Sequence, residues 1–562
     1  MRFQWKALDN TSPVFSFLAM TLLIAFALIC ISLYFRPLMP LDETRYASVA
    51  WEMWQGGDWL VPHKNGLPYA HKPPMLFWLI NLSWMIFGVN DFATRMIVPV
   101  VACCNFFLIS QLGKRLYGKH SQAAELAPLI LLSFGMLALY LSMPFFDLLL
   151  TVFLLSSVLC LLKSGQQKDM KWGAVAGFWA GIGVLVKGPV ILAYLFPIFV
   201  SYPLWRQDDW LPNRQWFSVC VTTIFVTVII GLFWAIPAAI QGGEAYARAI
   251  FWGQTVGRVS ESFAHARPFY WYVLFLPVLT LPWLFLLGCW RSRIFSQLSP
   301  ADKFCLSWLV LTVLLFSCFS AKQPHYLLPV LPAFAVFLAA KLKLNRFGKE
   351  PLLAALLIIL ALAMFSGPWW IGTAFKAAQD PQVYPLWGLV PLFLVVVAIK
   401  PAVFQKFRFP VLLLAMPISV YALLPFLSPV LFQLYDVSAL AQQMGIKQTE
   451  GEVVAISGNY HGEYHYLGRL TSPLVVIGDN ESKQYQWLSQ HPSAWAVIST
   501  QAGDTYMAQH SEHIWRYRGR QNVLILASDL LNWPGWAPDI QGMTEALQQK
   551  KVAANAEIES GG

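Results

Sequence analysis

The chain has 562 residues, is 57% hydrophobic and only 12% charged, and carries a formal net charge of +10. A soluble domain has roughly twice that charged fraction, so the composition excludes a soluble globular protein and implies a polytopic membrane protein. The basic residues fall between apolar stretches, which makes their excess a signal of topology rather than of nucleic-acid binding.

A bilayer-spanning helix needs about 17 to 25 mostly apolar residues. Allowing for Pro and Gly breaks, about thirteen spans are expected, near 14–35, 92–113, 122–142, 148–163, 172–186, 189–205, 217–240, 270–290, 304–320, 326–340, 352–373, 385–399 and 409–432. The first lacks a small-residue cleavage site and reads as a retained anchor. Lys and Arg collect in alternate connections: Arg2 and Lys6; Lys114, Arg115 and Lys119; Lys163, Lys168 and Lys171; Arg206 and Arg214; Arg291, Arg293 and Lys303; Lys341, Lys343, Arg346 and Lys349; Lys400, Lys406 and Arg408. Those connections are expected in the cytoplasm, with the N-terminus inside and the C-terminus outside. The eight cysteines lie in or beside apolar spans without a CxxC pair and read as small buried hydrophobes.

The longest outward connection runs from Arg36 to about Asp91. In it, DETRYASVAWEMWQGGD sets Tyr46, Val49, Ala50 and Met53 at helical spacing and stops at Gly56-Gly57. KPPMLFWLINLSWMIFG begins at two prolines and is short for a span, so it suits an interfacial helix with Trp78 and Trp84 at headgroup level. These two helices, about 42–57 and 72–88, form a platform with Asp42 and Glu43 on its rim. A carboxylate at the bilayer centre costs about 2.5–3.5 kcal/mol on insertion scales, which makes an acid at membrane depth a functional candidate. The structural alternative is helix capping by Asp42, with Arg45 paired to Glu43.

Further along, Asp147 is the only acid between Glu125 and Asp169, again with capping as its alternative. Lys187 is the lone cation of GVLVKGPVIL, and snorkelling to headgroups is the alternative for it. A long outward loop, QGGEAYARAIFWGQTVGRVSESFAHARPFYWY, carries Arg248, Arg258, His265 and Arg267 and has the length of a lid. SAKQPHYLLP sets Lys322, His325 and Tyr326 at another outer end. Acids and bases at several outer ends can converge on one site, with cations to hold an anionic group such as phosphate.

From about Tyr435 the composition changes. GEVVAISGNY, SPLVVIGD, SAWAVIST and QNVLILAS read as strands, and ESKQYQWLSQH and DIQGMTEALQQKK as helices. The expectation is a transmembrane catalytic domain over 1–434 and an extracytoplasmic mixed α/β domain over 435–562.

The motifs resemble those of the GT-C membrane glycosyltransferases, within them the aminoarabinose lipid A transferases and the protein O-mannosyltransferases. The family's DEPRYA, EKP, later Asp, KG, HRAPFWYY-like and K-x-P-x-Y patterns read here as DETRYA (42–47), HKP (71–73), Asp147, Lys187-Gly188, HARPFYWY (265–272) and KQPHY (322–326). The resemblance implies transfer of a sugar from a polyprenyl-phosphate donor, with inversion, on the outer face of a bacterial inner membrane. The implied acceptor is lipid A, a related glycolipid or a protein. It makes Asp42, Glu43 and Asp147 the catalytic acids. Arg45, Lys72, Lys187 and Arg267 become the holders of the lipid phosphate, beside Tyr326. His265, Lys322 and His325 form a further candidate group. The family's Glu before Lys-Pro is His71 here, so a divalent metal held through that position is in question; His71 with His265 is the alternative metal pair. A transporter or lipid-binding scaffold is the rival class, but the charges gather at one face and no inverted repeat is visible.

Overall fold

The computed structural model describes residues 17–253, 266–374, 382–400, 408–500, 503–518 and 520–536. Helix α1 (Phe17–Phe35) leads to the platform helices α2 (Glu43–Gly56) and α3 (Met75–Phe87). The bundle continues through α4 (Asp91–Arg95), α5 (Ile97–Tyr117), α6 (Gln122–Ser133), α7 (Gly135–Tyr140), α8 (Phe146–Gln167), α9 (Lys171–Lys187), α10 (Val190–Trp205) and α11 (Asn213–Arg248). Among the described residues seven helices are long and apolar enough to cross a membrane, or eight if Pro351–Phe365 and Gly367–Ala374, bent by 77°, make one span. The thirteen expected spans are therefore not all single long helices. The third breaks between Ser133 and Gly135, and the eighth survives only as the short helices Trp271–Leu279 and Leu287–Arg291.

Helices α9 and α11 pack closely because Gly173, Gly177 and Gly181 share one face at a four-residue spacing. A Cβ on Gly177 would lie 2.6 Å from the Thr223 carbonyl oxygen, and one on Gly181 would lie 2.5 Å from Ile230 Cβ. Thr223 and Thr227 each donate from Oγ1 across this seam, to Gly173 O at 2.9 Å and to Gly177 O at 3.2 Å. The cysteines divide differently from the sequence expectation: Cys220, Cys289 and Cys305 are buried, whereas Cys30, Cys103 and Cys318 are exposed on the bundle's outer surface.

On α2 the expected face is buried, with Tyr46, Val49, Ala50 and Met53 all in the core. The helix ends on Gly57, whose φ of 66° is the left-handed conformation of a glycine C-cap. A small hairpin follows, β1 (His63–Lys64) pairing β2 (Leu67–Pro68) across Asn65-Gly66, both at positive φ. Asn-Gly is the preferred dipeptide for such a turn. Glu52 of α2 accepts from both turn N–H groups, at 2.6 and 2.8 Å, and so fixes the hairpin to the platform.

The C-terminal unit is a five-stranded sheet in the order β4-β3-β5-β7-β6. Its strands are β3 (Val454–Ser457), β4 (Val475–Gly478), β5 (Trp495–Thr500), β6 (His513–Tyr517) and β7 (Arg520–Leu526). β3 runs parallel to β4 and β5, whereas β7 pairs antiparallel with both β5 and β6. Alternate residues feed two cores. Val497 and Leu524 meet Leu440 and Met444 of the helix Ser438–Thr449, while Ala496, Ile498 and Val523 meet Leu488 of the helix Glu481–Gln490. The unit is thus an α/β/α sandwich. The strand β6 and the helix Ser438–Thr449 were not read from sequence, and the helix expected over 539–551 lies outside the described residues.

This unit sits on the platform. Ser48 donates to Gly462 O at 2.6 Å, and Trp51 Nε1 donates to Leu470 O at 2.8 Å. Tyr466 stacks on Trp84, and its hydroxyl donates to Asp91 at 2.9 Å.

Candidate active site

Asp42 immediately precedes α2, but its side chain makes no capping hydrogen bond. The carboxylate instead pairs with Arg45 one turn on, and Tyr46 OH donates to it at 3.2 Å. The Asp42 side chain is 52% exposed. Arg45 is more enclosed, and its Nε is buried with no hydrogen-bond partner among the described residues. Capping, the structural alternative for Asp42, is therefore not how this residue is used.

Glu43 corrects the pairing expected from sequence. It does not meet Arg45. It is buried between Arg36, at the end of α1, and Arg95 at the end of α4, with bonds of 3.2 Å to Arg36 Nη2 and 2.9 Å to Arg95 Nε. Its Oε2 also accepts from the Met39 N–H at 2.9 Å, and Arg36 reaches on to Ser142 O. Burial alone would raise this carboxyl, but the two guanidiniums outweigh it and hold it at about 2. With its lone pairs engaged, Glu43 ties the start of α2 to Arg36 and Arg95.

Asp147 lies in the first turn of α8 and is also buried, again without capping the helix. Lys187, the last residue of α9, bonds its carboxylate at 2.5 Å, and the lysine side chain is only 7% exposed. That geometry excludes snorkelling for Lys187. His325 Nε2 stands 3.8 Å from the other Asp147 oxygen and is enclosed by the rings of Tyr140, Phe145 and Tyr326. Lys187 Nζ lies 4.5 Å from the Tyr326 ring centroid, and Lys72 Nζ lies 5.2 Å from that of Phe146. The Phe146 ring in turn packs against Tyr46. Tyr46, bonded to Asp42, thus links that carboxylate to the ring beside Lys72. Six sequence candidates from different connections are thereby gathered: Asp42, Lys72, Asp147, Lys187, His325 and Tyr326.

Others take different places. Lys322 Nζ donates to the Arg267 and Phe319 carbonyls, at 2.9 and 2.5 Å, so it ties chain segments together rather than facing the cluster. Arg267 is anchored through its backbone to Ser320 O at 3.2 Å, and its side chain is exposed. The proposed lid begins as helix, since α11 continues to Arg248 across a break at Gly243. Arg258 and His265 lie outside the described residues. His71 stacks on Tyr69 at 5.3 Å, and no group of three His, Cys, Asp or Glu residues gathers among the described residues. Arg36, Arg95, Tyr46 and Tyr140 belong to this region and were not among the sequence candidates.

His71, Lys72 and Lys187 stand at one end of a groove of about 200 Å³ whose remaining walls are almost wholly apolar. It runs along α9, α10 and α11 past Val184, Leu192, Leu232 and Trp234. The groove can take an apolar chain with an anionic head.

Residues 71–234 match the family described as dolichyl-phosphate-mannose-protein mannosyltransferase. The undecaprenyl phosphate-α-4-amino-4-deoxy-L-arabinose arabinosyl transferase of Pseudomonas paraeruginosa is 32% identical over 341 residues, covering 57% of this chain and 60% of that one. The Serratia proteamaculans protein of the same name is 32% identical over 333 residues, covering 57% and 58%. The alignments thus span less than two thirds of those relatives' length. Among solved structures, ArnT from Cupriavidus metallidurans bound to undecaprenyl phosphate superposes with a TM-score of 0.69 at 19% identity, over 90% of this chain and 97% of that chain. The oligosaccharyltransferase of Archaeoglobus fulgidus gives 0.51 at 13% identity, over 86% and 69%. This chain is a multi-pass membrane protein with the GT-C fold.

Proposed function

We propose that this GT-C-fold protein is an inverting glycosyltransferase that moves a sugar from a polyprenyl-phosphate donor to lipid A or a related cell-envelope glycolipid. The observation that carries this reading is the placement of Lys72 and Lys187 at the head of an apolar groove, beside the Asp42 cluster. An isoprenoid chain fills the groove, and the two ammonium groups hold its phosphate. Arg45, paired with Asp42 through Nη2 and with a buried Nε that has no partner among the described residues, is a third cation available to it.

In the reaction, an acceptor oxygen forms a bond to the anomeric carbon from the face opposite the phosphate. The carbon–oxygen bond to the phosphate breaks, and its electron pair leaves with the lipid phosphate. Fixed cations stabilise that developing charge. A hydroxyl acceptor gives its proton to Asp42; a phosphate acceptor has none to give, and Asp42 then orients the reacting group. Asp147 acts through Lys187, holding the ammonium in place. The match to the mannosyltransferase family supports a protein acceptor as a second reading, with the same donor chemistry.

The proposed orientation places the C-terminal unit and the site outside the inner membrane of a bacterium. In a background without the native cysteines, Glu450→Cys should react with a membrane-impermeant thiol reagent applied to spheroplasts. Asn345→Cys should not. Labelling of position 345 with 450 silent would contradict the orientation.

The donor site is tested by Lys72→Ala. The variant loses a point charge at the groove head and the approach of Lys72 to the Phe146 ring, worth about 0.5–1 kcal/mol, so it should still fold. Its apparent KM for a polyprenyl-phosphate sugar should rise at least about tenfold, the equivalent of one charge-assisted hydrogen bond. Unchanged donor dependence in the purified variant would remove Lys72 from phosphate binding.

A further inference from the structure

The C-terminal unit holds a cavity of its own, about 430 Å³, at one end of the five-stranded sheet. That size falls within the range of about 300–1,000 Å³ usual for small-molecule pockets. Its place follows from the winding of the chain. β3 connects outward to β4, and the chain then returns past β3 through the helix Glu481–Gln490 to β5. The direction of winding therefore reverses between β3 and β5. In open α/β sheets, ligands bind in the crevice outside the carboxyl ends of the strands at such a reversal. The cavity lies there, bounded by Ser457 and Asn459 at the end of β3, Ser499 near the end of β5 and Asp479 just past β4.

The lining selects the chemistry. Three carboxylates, Glu463, Asp479 and Glu481, face a single guanidinium, Arg520. This excess of negative charge disfavours phosphates, nucleotides and uronic acids. Glu463 is only 6% exposed, and among the described residues only its Oε2 receives a hydrogen bond, from the His461 N–H at 2.9 Å. Asn459, Gln484 and Asn522 add amides; Gln484 Nε2 already donates to Gly478 O at 2.5 Å, and Asn522 accepts from Ser499 at 2.8 Å and donates to Tyr464 OH at 3.2 Å, so what these two offer a ligand is their remaining N–H and lone pairs. Trp533 and Trp536 also line the cavity, and their indole N–H groups are already bonded to Asp504 and Leu530 O, each at 2.8 Å. They therefore offer ring surface rather than a donor. Carboxylates and amides for hydroxyl groups, with aromatic surface for the apolar side of a ring, fit a polyhydroxylated ring compound without negative charge.

We propose that this crevice is a saccharide-binding site for a neutral or amino sugar, separate from the lysine-headed groove in the bundle. The inference stands on the C-terminal unit alone and does not depend on the transferase reading.

The test uses the full-length protein in lipid nanodiscs, free of glycoside detergent. Saturation-transfer NMR and tryptophan fluorescence are followed on titration with glucose, glucosamine, cellobiose and glucose 6-phosphate. Saturable millimolar binding of glucose, glucosamine or cellobiose is expected, with glucose 6-phosphate at least about tenfold weaker. The double variant Asp479→Asn, Glu481→Gln changes two exposed side chains and should weaken glucosamine at least about tenfold, as expected for losing charge-assisted hydrogen bonds. Repeating the glucosamine titration with an amino-sugar glycolipid in the bilayer separates sources: competition assigns the site to membrane-borne sugar, and its absence assigns it to soluble sugar. No saturable binding by any of the three uncharged or amino sugars would overturn the proposal. So would equal binding of glucose 6-phosphate, or unchanged glucosamine binding by the double variant.

Discussion

Asp42→Asn is expected to lower sugar transfer at least about 100-fold, the lower end for losing a general base, with folding and thermal stability unchanged. The substitution keeps the side chain's size and removes its charge. Asp42 is half exposed and among the described residues its carboxylate is bonded only to Arg45 and Tyr46, both of which an amide oxygen can still accept from. A surface pair of this kind contributes about 0–1 kcal/mol, so little stability is at stake. Since the carboxylate caps no N–H, no capping bond is lost either. The measurement is turnover of a lipid-linked donor by purified protein, beside a melting curve of the same preparation. Near-wild-type turnover would take Asp42 out of the chemistry and leave the Asp147–Lys187 pair as its centre.

Glu43→Gln, its immediate neighbour, should behave in the opposite way. It leaves Arg36 and Arg95, both under 5% exposed, sharing a buried space without a carboxylate between them. Breaking a buried ion pair by removing one partner costs about 3–5 kcal/mol. The variant should therefore be recovered in low yield or melt well below wild type. The pH dependence has a definite sign. A carboxyl held at about 2 in the folded protein, against an ordinary 4.5, contributes stability that is complete above 4.5 and lost as the pH falls through about 2. The gap in melting temperature between wild type and variant should accordingly be widest above 4.5 and close towards 2. A variant as stable as wild type at neutral pH would show that the two arginines are not held by Glu43.

The opposite outcomes for adjacent acids show where sequence reading reached and where it stopped. The Asp-Glu pair is visible at once, but neighbours on a helix point about 100° apart, so they serve different environments. Arg45 is three residues from Asp42 and reaches it, whereas the same arginine is only two residues from Glu43, a spacing at which helical side chains do not face one another. The true partners of Glu43, Arg36 and Arg95, lie beyond α2 on other elements and carry no local mark. Lys187 and Asp147 were each legible as lone charges in apolar stretches, yet only the antiparallel packing of α8 and α9 brings them together. Composition was enough for the membrane class, because charge avoidance is enforced along every span, whereas the GT-C fold came from the motifs' resemblance to that family. Helix breaks were less legible: Pro and Gly permit a break without stating where the helix resumes. In the C-terminal unit the four strands with apolar runs were readable. The edge strand β6, HIWRY, was hidden by the charged and polar residues that edge strands carry against unwanted pairing.

The most direct test of the account is transfer of radiolabelled sugar from a purified polyprenyl-phosphate donor to lipid A by the detergent-solubilised, purified protein. The account predicts a labelled lipid A product formed with inversion at the anomeric carbon, at a rate that depends on donor concentration and collapses in Asp42→Asn. Folded wild-type protein that binds the lipid-linked donor but transfers label to neither lipid A nor a protein acceptor would contradict it.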